Sequence, residues 1–237
     1  MRVLGTTDPA AGSPPVFDVA LGHGVDPAVL THDQGYVLVR PLEAVRDDDL
    51  ELRLRVLVRP LAGEPRPRQP PRGRDAGLAL APGVRPQVRQ RFAAYAVVLS
   101  DRGLLATEYS DQTAAQGRWG MPGGGIDADE QPGDAVRREV VEETAQQVEL
   151  GELVAVQSSH WVGRSPRGTL EDFQAVRLVY RAACPGPSEP EVLDRGGTTA
   201  AARWVPLEEW RSVPWTHNWE QLLEELLSPR PPAGPGG

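Results

Sequence analysis

Lysine is missing from this chain: all 25 of its basic residues are arginines. Together with abundant Ala, Gly and Pro, that absence reads as GC-rich coding and carries no functional meaning. The formal net charge is −8, which argues against a general nucleic-acid surface, because binding a phosphate backbone needs clustered cations. Only one cysteine is present, Cys184. No internal disulfide can form, which suits a reducing cytoplasm, and the ordinary reading of Cys184 is a small apolar residue near a strand end. No apolar run reaches the length of an N-terminal signal or of a membrane span, so a soluble cytoplasmic protein without membrane contact is expected. At 237 residues there is room for one full domain and a smaller one.

Residues 1–34 are rich in Gly, Pro and Asp with little periodicity and are expected to be loosely ordered. GYVLVRPL and DDDLELRLRVLVRPL read as strands. The second alternates Leu50, Leu52, Leu54, Val56 and Val58 against Glu51, Arg53 and Arg55. Joined through EAVRDDD they form a hairpin with one apolar face, too small to persist alone in water. It must pack on the main domain as a private decoration, or on a second copy of the chain. A homodimer through residues 35–62 follows from the second choice.

Gly63 to Gln90 is a Pro/Arg/Gly linker. FAAYAVVLS and GLLATEYS then pair around Asp101-Arg102-Gly103, and VELGELVAVQSSHW, FQAVRLVYRAAC and ARWVPL supply further strands. HNWEQLLEELL closes as an amphipathic helix with Trp219, Leu222, Leu223, Leu226 and Leu227 inward. The expected plan is an N-terminal β region at 1–62, a linker at 63–88, a main domain at 89–228 and a disordered tail at 229–237.

The most informative stretch runs from Trp119 to Val148. It opens on Gly123, Gly124 and Gly125, where small residues let backbone approach another group closely. A polar turn follows, Asp134 is an N-cap candidate, and AVRREVVEET reads as a helix. Glu139, Glu142 and Glu143 sit at i, i+3 and i+4, so three carboxylates share one face. Like charges at that spacing repel by a few tenths of a kcal/mol per pair. A hard divalent cation with oxygen ligands would compensate, whereas a bare acidic face would simply be solvated.

Spacing separates those two readings. Gly124, five residues, Glu130, seven residues, Arg138-Glu139-Val140, one residue, Glu142-Glu143 is the pattern of the Nudix box, and Trp119 to Gly123 looks like its lead-in. The chain therefore resembles the Nudix hydrolases, over about a tenth of its length in the box and a little over half in the surrounding domain. Ala145 and Gln146 depart from the pattern, standing where a glycine and an aliphatic residue usually close the box. Alanine there would cost on the order of 1 kcal/mol or let the helix run on another turn, and Gln146 gives up an apolar contact.

The resemblance implies an α/β fold, a Nudix-like α/β/α sandwich with a mixed sheet plus the small N-terminal β region. It implies hydrolysis of the diphosphate linkage in a nucleoside diphosphate derivative, dependent on Mg²⁺ with Mn²⁺ as a substitute. Carried over by position, Glu139, Glu142 and Glu143 are metal ligands, with the Gly123 carbonyl as a further one. Arg138 holds a box carboxylate and Glu130 is its ionic partner. The general base is left among Glu142, Glu171 and Asp172. For substrate, His160 and Trp161 are candidates to stack on a base, and Arg164 and Arg167 to pair with a terminal phosphate.

The SQPWPFP-type array of NADH pyrophosphatases is absent. So are the proline of many ADP-ribose hydrolases, where Trp161 falls instead, and the tyrosine tied to dinucleoside polyphosphates. A nucleotide sugar such as ADP-ribose leads, because the N-terminal strands resemble a dimerisation region of that group. The alternatives are a nucleotide-pool sanitising pyrophosphohydrolase, a non-enzymatic nucleotide-sugar sensor, and Nudix-fold chemistry of another kind such as isomerisation. Intact box acids and no helix-turn-helix pattern weigh against the sensor.

Overall fold

In the computed structural model, which describes residues 1–80, 83–165 and 168–228, order begins earlier than composition suggests. Residues 1–34 are not loose: they hold strands β1 (Arg2–Thr6) and β2 (Phe17–Ala20) and helix α1 (Pro27–Asp33). The expected hairpin follows as β3 (Tyr36–Arg46) and β4 (Leu52–Pro60), paired antiparallel. Strand β1 adds parallel to β4 and β2 antiparallel to β1, giving a four-stranded sheet in the order β2-β1-β4-β3. The strand-forming signal of β1 is weak because most of its partners lie some fifty residues away.

The alternation in β4 works as the period of two requires: Leu52, Leu54, Val56 and Val58 are all buried. Leu50 does not join them. It stands in the connecting turn at φ 61° and is exposed.

The remaining strands build one mixed sheet. They are β5 (Arg72–Arg74), β6 (Gln87–Ser100), β7 (Gly103–Tyr109), β8 (Trp119–Gly120), β9 (Gly123–Gly125), β10 (Glu149–Arg164), β11 (Leu170–Ala183) and β12 (Thr199–Val205). The main path runs β12-β7-β6-β11-β10-β5, with β8 on β7 and β9 on β6. Short β5, within the expected linker, pairs parallel to β10 as an edge strand. Arg167 and the tail at 229–237, expected to be disordered, lie outside the described residues.

Helices α2 (Pro132–Thr144) and α3 (His217–Leu227) cover opposite faces. Alternate residues of β6 decide the division. Ala94, Ala96 and Val98 pack with Ala135, Val136 and Val140 of α2, whereas Val97 packs with Trp219, Leu222 and Leu223 of α3. This is the α/β/α sandwich expected from the box. The N-terminal sheet lies on the α2 side and joins its core, Leu52, Leu54, Val56 and Val58 clustering with Val176, Leu178 and Tyr180 of β11. The apolar face that motivated a homodimer through residues 35–62 is thus covered within one chain, which corrects the premise of that expectation. Among the described residues no helix is long and apolar enough to cross a membrane.

Candidate functional site

Helix α2 starts where proline permits it. Pro132 occupies the first turn, whose N–H groups have no intrahelical partner, and Gln131 is the N-cap. Asp134, the expected cap, lies inside the first turn instead, where its charge favours the helix N-terminus. The helix stops on time, because Ala145 takes the left-handed conformation at φ 56° and its N–H bonds to the Val141 carbonyl.

Gln146 overturns the reading of a lost apolar contact. Its side chain is 1% exposed and donates to the Thr144 carbonyl at 3.1 Å and to Ser188 Oγ at 2.9 Å. It also accepts from Ser188 N–H at 2.9 Å. Gln146 therefore ties the helix exit to the turn after β11 by polar bonds.

The box arginine is the hub of the carboxylates. Arg138 grips Glu130 bidentately, both bonds at 2.9 Å, and donates to Glu139 at 2.9 Å, to Glu142 at 3.2 Å and to the Gly125 carbonyl at 3.1 Å. Arg138 beside it holds the Glu130 carboxyl below its ordinary value, and Glu130 in turn raises Arg138. Such fork-to-fork pairing fixes geometry as well as charge.

Glu139 lies against Gly124 so closely that a Cβ there would stand 2.5 Å from its carboxyl carbon, so any larger residue would push this carboxylate out of place. Burial raises the Glu139 carboxyl, with Arg138 opposing the shift. Glu143 is 7% exposed and turned inward, its oxygens accepting from Gly123 N–H at 2.9 Å and from the Thr199 hydroxyl. Both donors are neutral, and burial pushes this carboxyl up to about 7. Gly123 thus meets the box through its amide. Arg138 links Glu139 and Glu142, while Glu143 stands apart on the buried side.

A cleft of about 1230 Å³ opens on the α3 face and is linked to the glycine run through two residues of β6. Arg91 and Tyr95, from β6, border both, touching Gly125 and Gly123 respectively. Trp161 lines the cleft with its ring 4.3 Å from that of Phe173, and Arg164, Glu171 and Arg177 are in the wall. Gln157 also lines it, with Oε1 buried and without a partner among the described residues.

His160 and Asp172 are not there. Neighbours along a strand face opposite ways, so Trp161 and Glu171 look into the cleft while His160 and Asp172 look toward the N-terminal region. Stacking of His160 and Trp161 on one base, and Asp172 as a base in the cleft, are corrected on that ground.

The structure adds one group that spacing did not reveal. Arg46, at the end of β3, donates to the carbonyls of Glu130 at 3.0 Å and Asp127 at 3.0 Å. Its own amide and carbonyl bond to the Gln131 side chain at 2.9 Å each. The loop that carries Glu130 is therefore braced by the N-terminal sheet. No local pattern marks this role of Arg46, since the loop it braces lies more than eighty residues on.

A family model described as the NUDIX domain matches residues 89–225. A MutT-like protein of Streptomyces ambofaciens is 41% identical over 124 residues, covering 52% of this chain and 68% of that protein. An RNA pyrophosphohydrolase of Rhodopseudomonas palustris (strain BisB18) is 34% identical over 127 residues, covering 47% of this chain and 67% of that one. The chain spans only 45% of the length of a third curated relative. Among solved structures, a MutT NUDIX hydrolase from Burkholderia pseudomallei covers 58% of this chain and 98% of its own, at 26% identity and a TM-score of 0.44. With the family model spanning more than half of the sequence and the box residues assembled on one helix and its glycine run, the chain belongs to the Nudix hydrolase family.

Proposed function

We propose that the protein hydrolyses the diphosphate linkage of a nucleoside diphosphate derivative with a divalent cation, Mg²⁺ first and Mn²⁺ as substitute. One observation carries this reading: Glu139 and Glu142 are joined through Arg138 on α2, with Glu143 of the same helix bonded to the Gly123 amide, beside a glycine run whose neighbours Arg91 and Tyr95 line a roomy cleft. Glu143 tests the fit, for a buried carboxylate held only by neutral donors is short of positive charge. The three carboxylates would hold the cation, which would neutralise the diphosphate and polarise it as a Lewis acid.

The chain's own groups supply the rest. Arg138 keeps Glu139 and Glu142 in register and is itself fixed by Glu130. Glu142, the most exposed of the three, is the candidate to take the proton of the attacking water, with Glu171 in the cleft wall as the second. Arg91 and Arg177 suit phosphate oxygens, and the Trp161–Phe173 pair offers an aromatic surface for a base. Gln157 Oε1, without a partner among the described residues, asks for a donor such as a sugar hydroxyl or an exocyclic amine.

A nucleotide sugar of the ADP-ribose kind meets those demands. The name of the Rhodopseudomonas relative supports anhydride hydrolysis, so 5′-triphosphate oligonucleotides belong beside nucleotide sugars, dinucleoside polyphosphates and nucleoside triphosphates in a phosphate-release screen with and without Mg²⁺. Turnover of a nucleotide sugar is expected, and Glu142→Gln should lower kcat by at least ~10²-fold while the fold persists. Near-normal turnover by that variant at saturating Mg²⁺ would remove the assignment. Tight binding of a nucleotide sugar without turnover would favour a sensor.

A further inference from the structure

Two of the four histidines in the chain meet at one carboxylate, on the face of the sheet away from the cleft. His23, in the loop before α1, points Nε2 at Asp172 Oδ1 from 3.2 Å, and His160 of β10 points Nε2 at the same oxygen from 2.5 Å. The three ligand atoms all lie within 4.8 Å of one another, the only such group of His, Cys, Asp or Glu among the described residues. All three residues are largely shielded, with side chains 12–23% exposed.

The arrangement is anchored on every side. His160 and Asp172 come from adjacent antiparallel strands, two positions apart across the ladder on one face. Arg72 of β5 pairs with Asp172 Oδ2 and so turns Oδ1 toward the imidazoles. Gly24 follows His23 and is fastened by its N–H to the side chain of fully buried Gln174 at 2.7 Å, and by its carbonyl to Gln69 at 2.8 Å. His160 leaves no room beyond: a Cβ on Gly24, at φ 75°, would lie 2.9 Å from its Cε1. His23 Nδ1 is buried with no partner among the described residues, so the ring gains nothing from its other nitrogen there.

We propose that His23, His160 and Asp172 form a site for a divalent transition-metal ion of Zn²⁺ chemistry, which ties the N-terminal region to the main sheet. Two imidazole nitrogens and one carboxylate oxygen are Zn²⁺ donors, whereas Mg²⁺ takes oxygen. Ligand atoms about 2.0–2.2 Å from a tetrahedral ion stand about 3.3–3.6 Å apart, so the group needs movements of under about 1 Å. The fourth position is left to water. The site is separate from the box carboxylates and its assignment stands whether or not the proposed hydrolysis does.

The full chain, stripped with chelator and then held in excess Mg²⁺ to occupy the box, is titrated with Zn²⁺ by calorimetry. One equivalent should bind both to the native chain and to a Glu139→Gln/Glu142→Gln variant. His23→Gln and His160→Gln should each weaken binding by more than the ~10–100-fold typical of losing a partner outside the ligand set. Should those variants fold poorly, imidazole NMR on the native chain still decides, since Zn²⁺ must move the His23 and His160 resonances and leave His32 and His217 in place. No Zn²⁺ uptake in excess Mg²⁺ would overturn the proposal, leaving two imidazoles donating to Asp172. Uptake that survives both histidine substitutions, or that follows the box variant, would overturn it equally.

Discussion

Replacing Arg46 by Met tests whether the N-terminal sheet braces the Nudix box. The side chain donates to three carbonyls: Leu50 at 2.7 Å, Glu130 at 3.0 Å and Asp127 at 3.0 Å. Met keeps most of the aliphatic stem and removes all three bonds. A hydrogen bond from a charged donor contributes roughly 1.5–3 kcal/mol, but these carbonyls are partly exposed and water can take them up. At about 0.5–1 kcal/mol for each, the expected loss is about 1.5–3 kcal/mol, read by urea unfolding with m unchanged. Loss of two of the bonds frees the loop that carries Glu130, so amide exchange at residues 127–131 should rise with it. The Gln131 bonds to the Arg46 backbone survive the substitution, which limits the loss to the side chain's share. A change below about 0.5 kcal/mol, with exchange at 127–131 unaltered, would refute the brace.

Ala145→Gly relieves an alanine held in the left-handed region and should stabilise by up to about 1 kcal/mol with kcat little changed, as unfolding and turnover of the same preparation would show. Gln146→Ala strips the side-chain hydrogen bonds to Thr144 and Ser188 from a residue 1% exposed and should cost about 2–4 kcal/mol in urea unfolding; a neutral result would mean the polar tie does not hold the helix exit. Burial raises the Glu143 carboxyl from 4.5 to about 7, so its contribution to stability is full below the unfolded value and is lost as pH rises through about 7. Metal-free protein should therefore fall by on the order of 3 kcal/mol relative to Glu143→Gln across that window, and parallel pH–stability curves would disprove the shift.

What could be read in advance was what repeats locally. The alternation Leu52, Leu54, Val56, Val58 marks its strand without help from the rest of the chain, and the i, i+3, i+4 spacing puts the box acids on one helix face. The resemblance to the box implied an Arg138–Glu130 pair, and the two side chains meet bidentately. Distant pairing left no such trace. Strand β1 is five residues whose partners lie across the N-terminal sheet, and Arg46 reaches a loop more than eighty residues away. His160 is different, because the period of two along β10 already separates it from Trp161. Composition misled for Gln146, where a polar side chain does the tying expected of an apolar one.

These contacts together change the standing of the first sixty residues. A separate hairpin on a linker would leave α2 and β11 with a finished core of their own. Instead Val176, Leu178 and Tyr180 share one cluster with Leu52, Leu54, Val56 and Val58, so lifting the N-terminal sheet would open apolar surface on both sides. Arg46 joins that sheet to the loop of Glu130, and Glu130 fixes Arg138, which in turn holds Glu139 and Glu142. The route from β3 to the box carboxylates is thus three side chains long, each step a hydrogen bond. The N-terminal sheet belongs to the structural support of the box, and its effect on activity should be sought in the placement of Glu139 and Glu142 before any contact with substrate.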